Sequence, residues 1–211
     1  DLLQQTSNGN PFYIEQLIEY YRSNQLLNYK NDTWHVQEGD IKLNNNINSL
    51  LVAKVDNLGA YSREMLKAAA VIGREFEYSV LEEVLKNKSL FEDNETFDNL
   101  KASLKEAEKN NIIRNVSKGR YLFKHSMQHE VIYEMQLHTR LKALHEVIAD
   151  SIERIFQNRL QQRYVDLVFH YERAEITEKT KLKYLRSLTL IKGYLFNLFL
   201  SSIHKHNVYL V

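Results

Sequence analysis

Apolar residues recur along most of the chain at positions three or four apart, the spacing that places them on one face of a helix. This periodicity predicts helices over residues 11–23, 47–58, 61–72, 78–85, 97–109, 140–156, 160–173 and 178–191, with another starting directly after His125. A content of only six glycines and one proline also favours long helices. We therefore predict a mainly α fold.

Residue types with known roles at helix ends mark several of these boundaries. Asn10 followed by Pro11 is typical of a helix start, because asparagine caps free N–H groups and proline fits the first turn. The asparagines at 44–46 predict another start, and Gly59 and Gly73 predict helix ends. The apolar side of the first helix is predicted to consist of Phe12, Leu17, Ile18 and Tyr21.

Two pairs of β-prone runs are separated by turn-forming residues. The first pair, around residues 26–27 and 34–36, predicts a short hairpin. The second pair joins residues 112–116 to residues 120–123 through Ser117-Lys118-Gly119, which also has hairpin spacing. A helix, a hairpin and a returning helix form a winged-helix pattern, in which this second hairpin is the wing.

His125 stands where the wing's second strand ends and the next helix begins. The first turn of a helix has unpaired N–H groups and carries the positive end of the helix dipole. An imidazole at that position can help to hold an anion such as a phosphate. The sequence therefore gives His125 as a candidate anion-binding residue.

The last third of the chain predicts amphipathic helices of similar length joined by polar turns. Helices of this kind stack in pairs, so we expect the start of a superhelix like that of tetratricopeptide repeats. From Gly193 to Leu200 the residues are apolar on all sides of any helical wheel. The fold of residues 192–211 is therefore left open.

Composition restricts the function classes without selecting one. The net charge of +1 gives no bulk attraction to nucleic acid or to an anionic membrane. The absence of cysteine rules out disulfides and thiolate metal sites, as expected in a reducing compartment. No signal peptide precedes the first helix and no apolar run is long enough to span a bilayer, so we expect an internal fragment of a cytoplasmic protein.

Motifs for common catalytic chemistry are missing from the sequence. It contains no P-loop, no Gly-x-Ser-x-Gly elbow and no kinase signature, so we expect no catalytic residue in this fragment. His125 and His129 have the spacing of two zinc ligands, but two are too few and no metal site is expected. His129 is predicted to lie on the surface, and His145, His204 and His206 are expected to be solvated.

A winged helix raises the possibility of DNA binding through the helix before the wing. Between residues 94 and 110 this segment has more acidic than basic side chains, which would repel phosphates. We therefore expect no nucleic-acid partner. The acidic residues are Glu95, Asp98, Glu106 and Glu108, and the lysines are Lys101, Lys105 and Lys109.

Five segments, in this order, resemble the signalling ATPases of the STAND class, including the ATPase regions attached to soluble-type adenylyl and guanylyl cyclases. They are Gly9-Asn-Pro-Phe-Tyr-Ile-Glu15, Leu66-Lys-Ala-Ala-Ala-Val-Ile-Gly-Arg-Glu-Phe76, Tyr121-Leu-Phe-Lys-His125, Val131-Ile-Tyr-Glu134 and Val168-Phe-His-Tyr-Glu-Arg-Ala174. The resemblance covers about residues 1–190.

The resemblance implies a domain plan and a ligand. Residues 1–60 would be the helical lid of the ATPase, 61–136 the winged-helix domain and 137–211 the first superhelical helices. ATP or ADP, with magnesium, would be held mainly by a P-loop domain upstream. Pro11 would pack near the nucleotide, and His125 would contact the phosphates of ADP in the inactive state.

The partners implied are the P-loop domain and an effector domain of the same chain, such as a nucleotide cyclase, and proteins bound through the superhelix. The sequence departs from the family where Ser126 replaces an acid found in related proteins, and where the asparagines at 44–46 replace a proline. Two alternatives remain. The chain could be a helical protein-interaction adaptor without a nucleotide role, or a DNA-binding winged helix.

Overall fold

A computed structural model describes residues 7–30, 32–36, 47–91, 97–175, 189–190 and 192–193. This part of the chain is mainly helical, with two small antiparallel sheets. The predicted helix start at 44–46, nearly all of the predicted helix at 178–191, and residues 194–211 lie outside the described residues. None of the described helices has the length and apolar character needed to cross a bilayer.

The observed elements follow the predicted helices closely. The helices are α1 (Pro11–Ser23), α2 (Ile47–Asp56), α3 (Ala60–Ile72), α4 (Tyr78–Leu85), α5 (Phe97–Lys109), α6 (Ser126–Glu134), α7 (His138–Ile155) and α8 (Tyr164–Arg173), and a 3₁₀ helix spans Leu160–Arg163. The strands are β1 (Leu27–Lys30), β2 (Thr33–Val36), β3 (Glu75–Glu77), β4 (Ile113–Ser117) and β5 (Arg120–Phe123).

Helix α1 begins as predicted, because the Asn10 side chain accepts hydrogen bonds from the N–H groups of Phe12 at 3.0 Å and Tyr13 at 3.3 Å. Its buried side differs from the prediction. Tyr13 and Gln16 are buried with Leu17 and Tyr21, whereas Ile18 is 41 % exposed. The shift arises because α2 and the β1–β2 hairpin cover this side of α1.

Strands β1 and β2 form the first predicted hairpin, with Leu27 opposite Val36 and Tyr29 opposite Trp34. Both pairs lie on the same face of the hairpin, because side chains two positions apart in a strand point the same way. On that face Leu27 and Val36 pack against the buried residues of α1. Tyr29 and Trp34 lie further along the same face and are mainly exposed. The hairpin therefore extends beyond the small core that it covers.

Helix α2 joins two apolar clusters. Leu50 packs with Tyr13, Leu17 and Tyr21 in the small cluster, whereas Val55, near the end of the same helix, belongs to the main core. The helix ends at Asp56, two residues before the predicted end, and Gly59 is the residue that precedes α3. Because one short helix contributes to both clusters, it fixes α1 and the first hairpin to the rest of the chain.

Helices α3, α4 and α5 surround a three-stranded antiparallel sheet in the order β3-β5-β4. Strand β3, which the sequence did not reveal, pairs Phe76 with Tyr121. Gly73 at the end of α3 has φ +149°, a conformation that favours glycine and lets the chain turn directly into β3. The wing turn is one residue shorter than predicted, because Ser117 is already paired with Arg120.

Helices α7 and α8 share the main core with α3–α6. Leu144, Ile148 and Ile152 of α7 and Leu167 and Tyr171 of α8 belong to the same cluster of buried residues as the interior of α3–α5. The predicted helix at 160–173 is divided, since its first turn is the 3₁₀ helix that precedes α8. The core therefore continues across residue 136 without a break.

Candidate functional site

His125 lies at the junction that the sequence indicated. Its extended backbone, with φ −127° and ψ 140°, directly precedes the first residue of α6. The imidazole makes no capping hydrogen bond to that helix, and no other side chain among the described residues caps it. Within the part of the chain that the structure describes, the first N–H groups of α6 therefore lack a side-chain acceptor, which is the local condition for binding an anion.

The Phe12 ring packs on the His125 imidazole, with 4.2 Å between ring centroids and a tilt of 35°. Because Phe12 follows Pro11, this contact brings the start of α1 close to the start of α6. Pro11 itself is exposed. The two helix starts differ, since the Asn10 side chain accepts from two N–H groups of α1, whereas no side chain of the described residues caps α6.

One nitrogen of His125, Nε2, is buried and has no hydrogen-bond partner among the described residues. Burial lowers the pKa of His125, and Lys124 and Lys54 lower it further, while Glu15 and Glu19 act in the opposite direction. The ring is therefore neutral at pH 7 and can donate one hydrogen bond and accept another. A buried polar atom without a partner requires an explanation, and a ligand supplies one.

Polar side chains link α1 and α2 to the β5–α6 junction. Lys124 lies 3.5 Å from Glu15 and donates to Asn111 Oδ1 at 3.4 Å. The Asn111 amide donates to Glu19 Oε1 at 3.0 Å, and Lys54 pairs with the same carboxylate. Lys54 also donates to Gln16 Oε1 at 3.1 Å. We call this set the polar bridge: Glu15, Gln16, Glu19, Lys54, Asn111 and Lys124.

A cavity of about 220 Å³ opens beside the polar bridge, where α1, α2 and α5 all end. Asn24, Asn57 and Asn110, the residues after the three helices, line it. Arg22, Lys54 and Lys109 also line it, and each is a base in the last turn of its own helix, where it offsets the negative end of that helix dipole. That these three helix ends meet could not be predicted from the sequence pattern.

Two other histidines, His129 and His145, differ from the predictions. His129 is half-buried, and its Nε2 lies 2.8 Å from the Ala70 carbonyl oxygen, so the prediction of a surface histidine was wrong. His145 was expected to be solvated but is 1 % exposed, and it contacts His170, which is 2 % exposed. Their burial depends on how the helices pack against one another, which local sequence does not show.

No group of three or more potential metal ligands occurs among the described residues. The helix before the wing, α5, has a less acidic surface than its composition suggests. Glu106 bonds to Ser62 and to the Gly59 N–H, and Glu108 accepts from the Asn115 N–H at 2.9 Å. Lys101, Lys105 and Lys109 are exposed and follow one another at intervals of four residues. Two of the four acidic residues that the sequence analysis counted against DNA binding are thus hydrogen-bonded to other parts of the protein.

Protein-family models, curated proteins and solved structures give no match to this chain.

Proposed function

We propose that the chain is the nucleotide-sensing regulatory part of a STAND-class signalling ATPase. In this proposal α1, α2 and the β1–β2 hairpin form the lid, α3 to α6 form a winged helix, and α7 and α8 begin a superhelix like that of tetratricopeptide repeats. An upstream P-loop domain would hold ATP or ADP with magnesium, and an effector domain such as a nucleotide cyclase would receive the signal.

The order of elements supports the winged-helix part of the proposal. From α3 to β5 the chain runs helix, strand, helix, helix and hairpin, and the first strand pairs with the second strand of that hairpin. The short β3 strand completes a three-stranded sheet that the predicted two-stranded wing lacked. This arrangement is the one expected if the resemblance noted in the sequence is correct.

The observation that carries the proposal is the unpartnered Nε2 of His125 beside the uncapped start of α6. A neutral imidazole can donate a hydrogen bond from Nε2 to a phosphate oxygen without the cost of holding a buried charge. The α6 N–H groups would supply further donors, and Lys124 would supply positive charge nearby. Pro11 would shape the approach by fixing the start of α1 next to this position.

A switch requires two states that the ligand distinguishes. The Phe12–His125 contact and the polar bridge join the lid to the winged helix. Because His125 Nε2 is buried, a phosphate would reach it only after a shift of the side chains that cover it, and would then hold the lid and the winged helix together. Loss of that contact would remove one of the few links between α1 and α6. The winged helix and α7–α8, which share one core, would then move together relative to the lid.

The test is the replacement His125→Ala in the full-length parent protein, with His35→Ala as the control because His35 is an exposed hairpin residue. A charge-assisted hydrogen bond to phosphate contributes about 1.5–3 kcal/mol. We expect His125→Ala to weaken ADP binding more than ATP binding. The activity of the effector domain without an activating signal should rise roughly tenfold or more. Equal effects on both nucleotides with a lower melting temperature would show that the histidine is only structural.

DNA binding is the second candidate, and the exposed lysine row on α5 favours it over the adaptor alternative. If α5 contacts phosphates, replacing Lys101, Lys105 and Lys109 with glutamine should weaken binding to duplex DNA and reduce its salt dependence. The control is the same replacement at Lys30, an exposed residue of the first hairpin. Absence of salt-dependent DNA binding in the unmodified protein would exclude this candidate.

A further inference from the structure

His145 of α7 and His170 of α8 form a buried pair. Their Nδ1 atoms are 2.8 Å apart, and the two residues are 1 % and 2 % exposed. The other ring nitrogen of His145, Nε2, lies 3.0 Å from the Tyr133 hydroxyl of α6. One chain of polar atoms thus connects α6, α7 and α8 inside the core.

The number of protons that this pair can hold is limited by its geometry. At 2.8 Å, one Nδ1 must carry a hydrogen and donate it while the other accepts. A single extra proton can be taken up if His145 accepts at Nδ1 and donates from Nε2 to the Tyr133 oxygen. A second extra proton would place hydrogens on both Nδ1 atoms, and the bond between them would be lost.

Charged groups around the pair do not favour a positive imidazole. Burial lowers the pKa of both histidines, and the nearby Arg173, which stacks on Phe169, lowers it further. His170 also borders a cavity of about 190 Å³ through which water can approach. Five charged residues line that cavity, and their charges are paired: Arg120 with Glu75, and Arg163 with both Glu77 and Asp166.

We propose that the His145–His170 pair makes the packing of α8 on α7 sensitive to mild acid. Once α8 separates, both rings reach water and titrate with an ordinary pKa of about 6.5. The packed state, in which the pKa of each ring is lowered, binds fewer protons. The packing of α8 on α7 therefore has its full stability above about pH 6.5. As the pH falls below that value the stability decreases, until the pH is below the lowered pKa of each packed ring.

The size of the effect follows from the ordinary pKa. If a ring stays neutral while packed, lowering the pH from 7 to 5 reduces the ratio of packed to separated α8 by about 25-fold per histidine. The two rings together give about 600-fold. Asp166 acts against this trend, because burial raises its pKa. The histidine effect must therefore be measured against a matched variant.

The experiment is native-state hydrogen exchange of the α8 amides at pH 7 and pH 5, corrected for intrinsic exchange. The proteins are the unmodified chain, His170→Gln, the double variant His145→Gln with His170→Gln, and His35→Gln as an exposed control. We expect protection to fall with acid most in the unmodified chain and in His35→Gln. The loss of α8 protection between pH 7 and pH 5 should exceed that of the double variant by about 600-fold in the unmodified chain and in His35→Gln. In His170→Gln, which keeps one histidine of the pair, it should exceed that of the double variant by about 25-fold.

A fall with pH that is the same in all four proteins would overturn the proposal. Because glutamine at these buried positions can disturb folding, the imidazole proton resonances of the unmodified chain supply a second measurement. We expect neither ring to titrate between pH 7 and 5.5 while the protein is folded, although both should titrate near pH 6.5 in urea. Ordinary titration of either ring in the folded protein would also overturn the proposal.

Discussion

Phe12 covers one face of the His125 imidazole, and the two ring centroids are 4.2 Å apart. The contact joins the first turn of α1 to the residue that precedes α6, although more than a hundred positions separate them in sequence. It therefore links the environment of the imidazole to the position of α1.

Replacing Phe12 with alanine should raise the pKa of His125 toward its ordinary value. Burial is the largest cause of the lowered value, and the phenyl ring provides part of that burial. The change can be followed by titrating the imidazole proton resonances. Tyr29→Ala is the control, because this exposed aromatic residue lies on the β1–β2 hairpin. An unchanged His125 pKa in Phe12→Ala would mean that other groups bury the ring.

Lys54→Met should destabilise the fold by about 1–3 kcal/mol, because it leaves partly buried acceptors without a donor. The Lys54 ammonium donates to Gln16 Oε1 at 3.1 Å and pairs with Glu19, and Gln16 is 4 % exposed. Methionine retains the length of the side chain. The free energy of unfolding from urea titration measures the loss, and Lys118→Met in the exposed wing turn should have almost no effect.

Gly73→Ala should cost about 1–3 kcal/mol, because the backbone has φ +149° and an added Cβ would lie 3.5 Å from the Glu75 carbonyl oxygen. Gly59→Ala is the matched comparison. Gly59 has φ −55° and an added Cβ would be 3.7 Å from Glu106, so a loss under about 1 kcal/mol is expected. Equal losses in the two variants would contradict the assignment of strain to Gly73.

The isolated chain should bind ATP and ADP weakly or not at all. One imidazole and one helix start provide few donors, whereas a P-loop supplies many N–H groups and a lysine. Titration calorimetry can measure this directly. Micromolar affinity, about −8 kcal/mol, would show that the chain contains a nucleotide site in addition to His125.

Elements defined by local chemistry were predictable from the sequence. Asn10 and Pro11 start α1, and Gly73 ends α3, because capping and backbone conformation depend on a few adjacent residues. The position of His125 before α6 was predictable for the same reason. Its lack of a side-chain cap, its contact with Phe12 and its buried Nε2 were not, since they depend on how α1 packs.

Features that depend on distant partners were missed. Strand β3 has only three residues, Glu75, Phe76 and Glu77, and it is recognisable only through pairing with β5. Ile18 was predicted to lie on the apolar side of α1 but is exposed, and Tyr13, which was not part of that prediction, is buried, because α2 and the hairpin approach α1 from one side. The burial of His145 is set by His170, which lies 25 residues further along the chain. Periodicity identifies an apolar side but not the element that will cover it.

The single tryptophan of the chain, Trp34, is 67 % exposed at the far part of the β1–β2 hairpin. Its emission should therefore resemble that of indole in water while the protein is folded, and unfolding of the main core should change it little. The same residue would respond strongly to any partner that covers the hairpin. Tryptophan fluorescence is thus a poor measure of the stability of this chain and a sensitive reporter of contacts made by the β1–β2 hairpin.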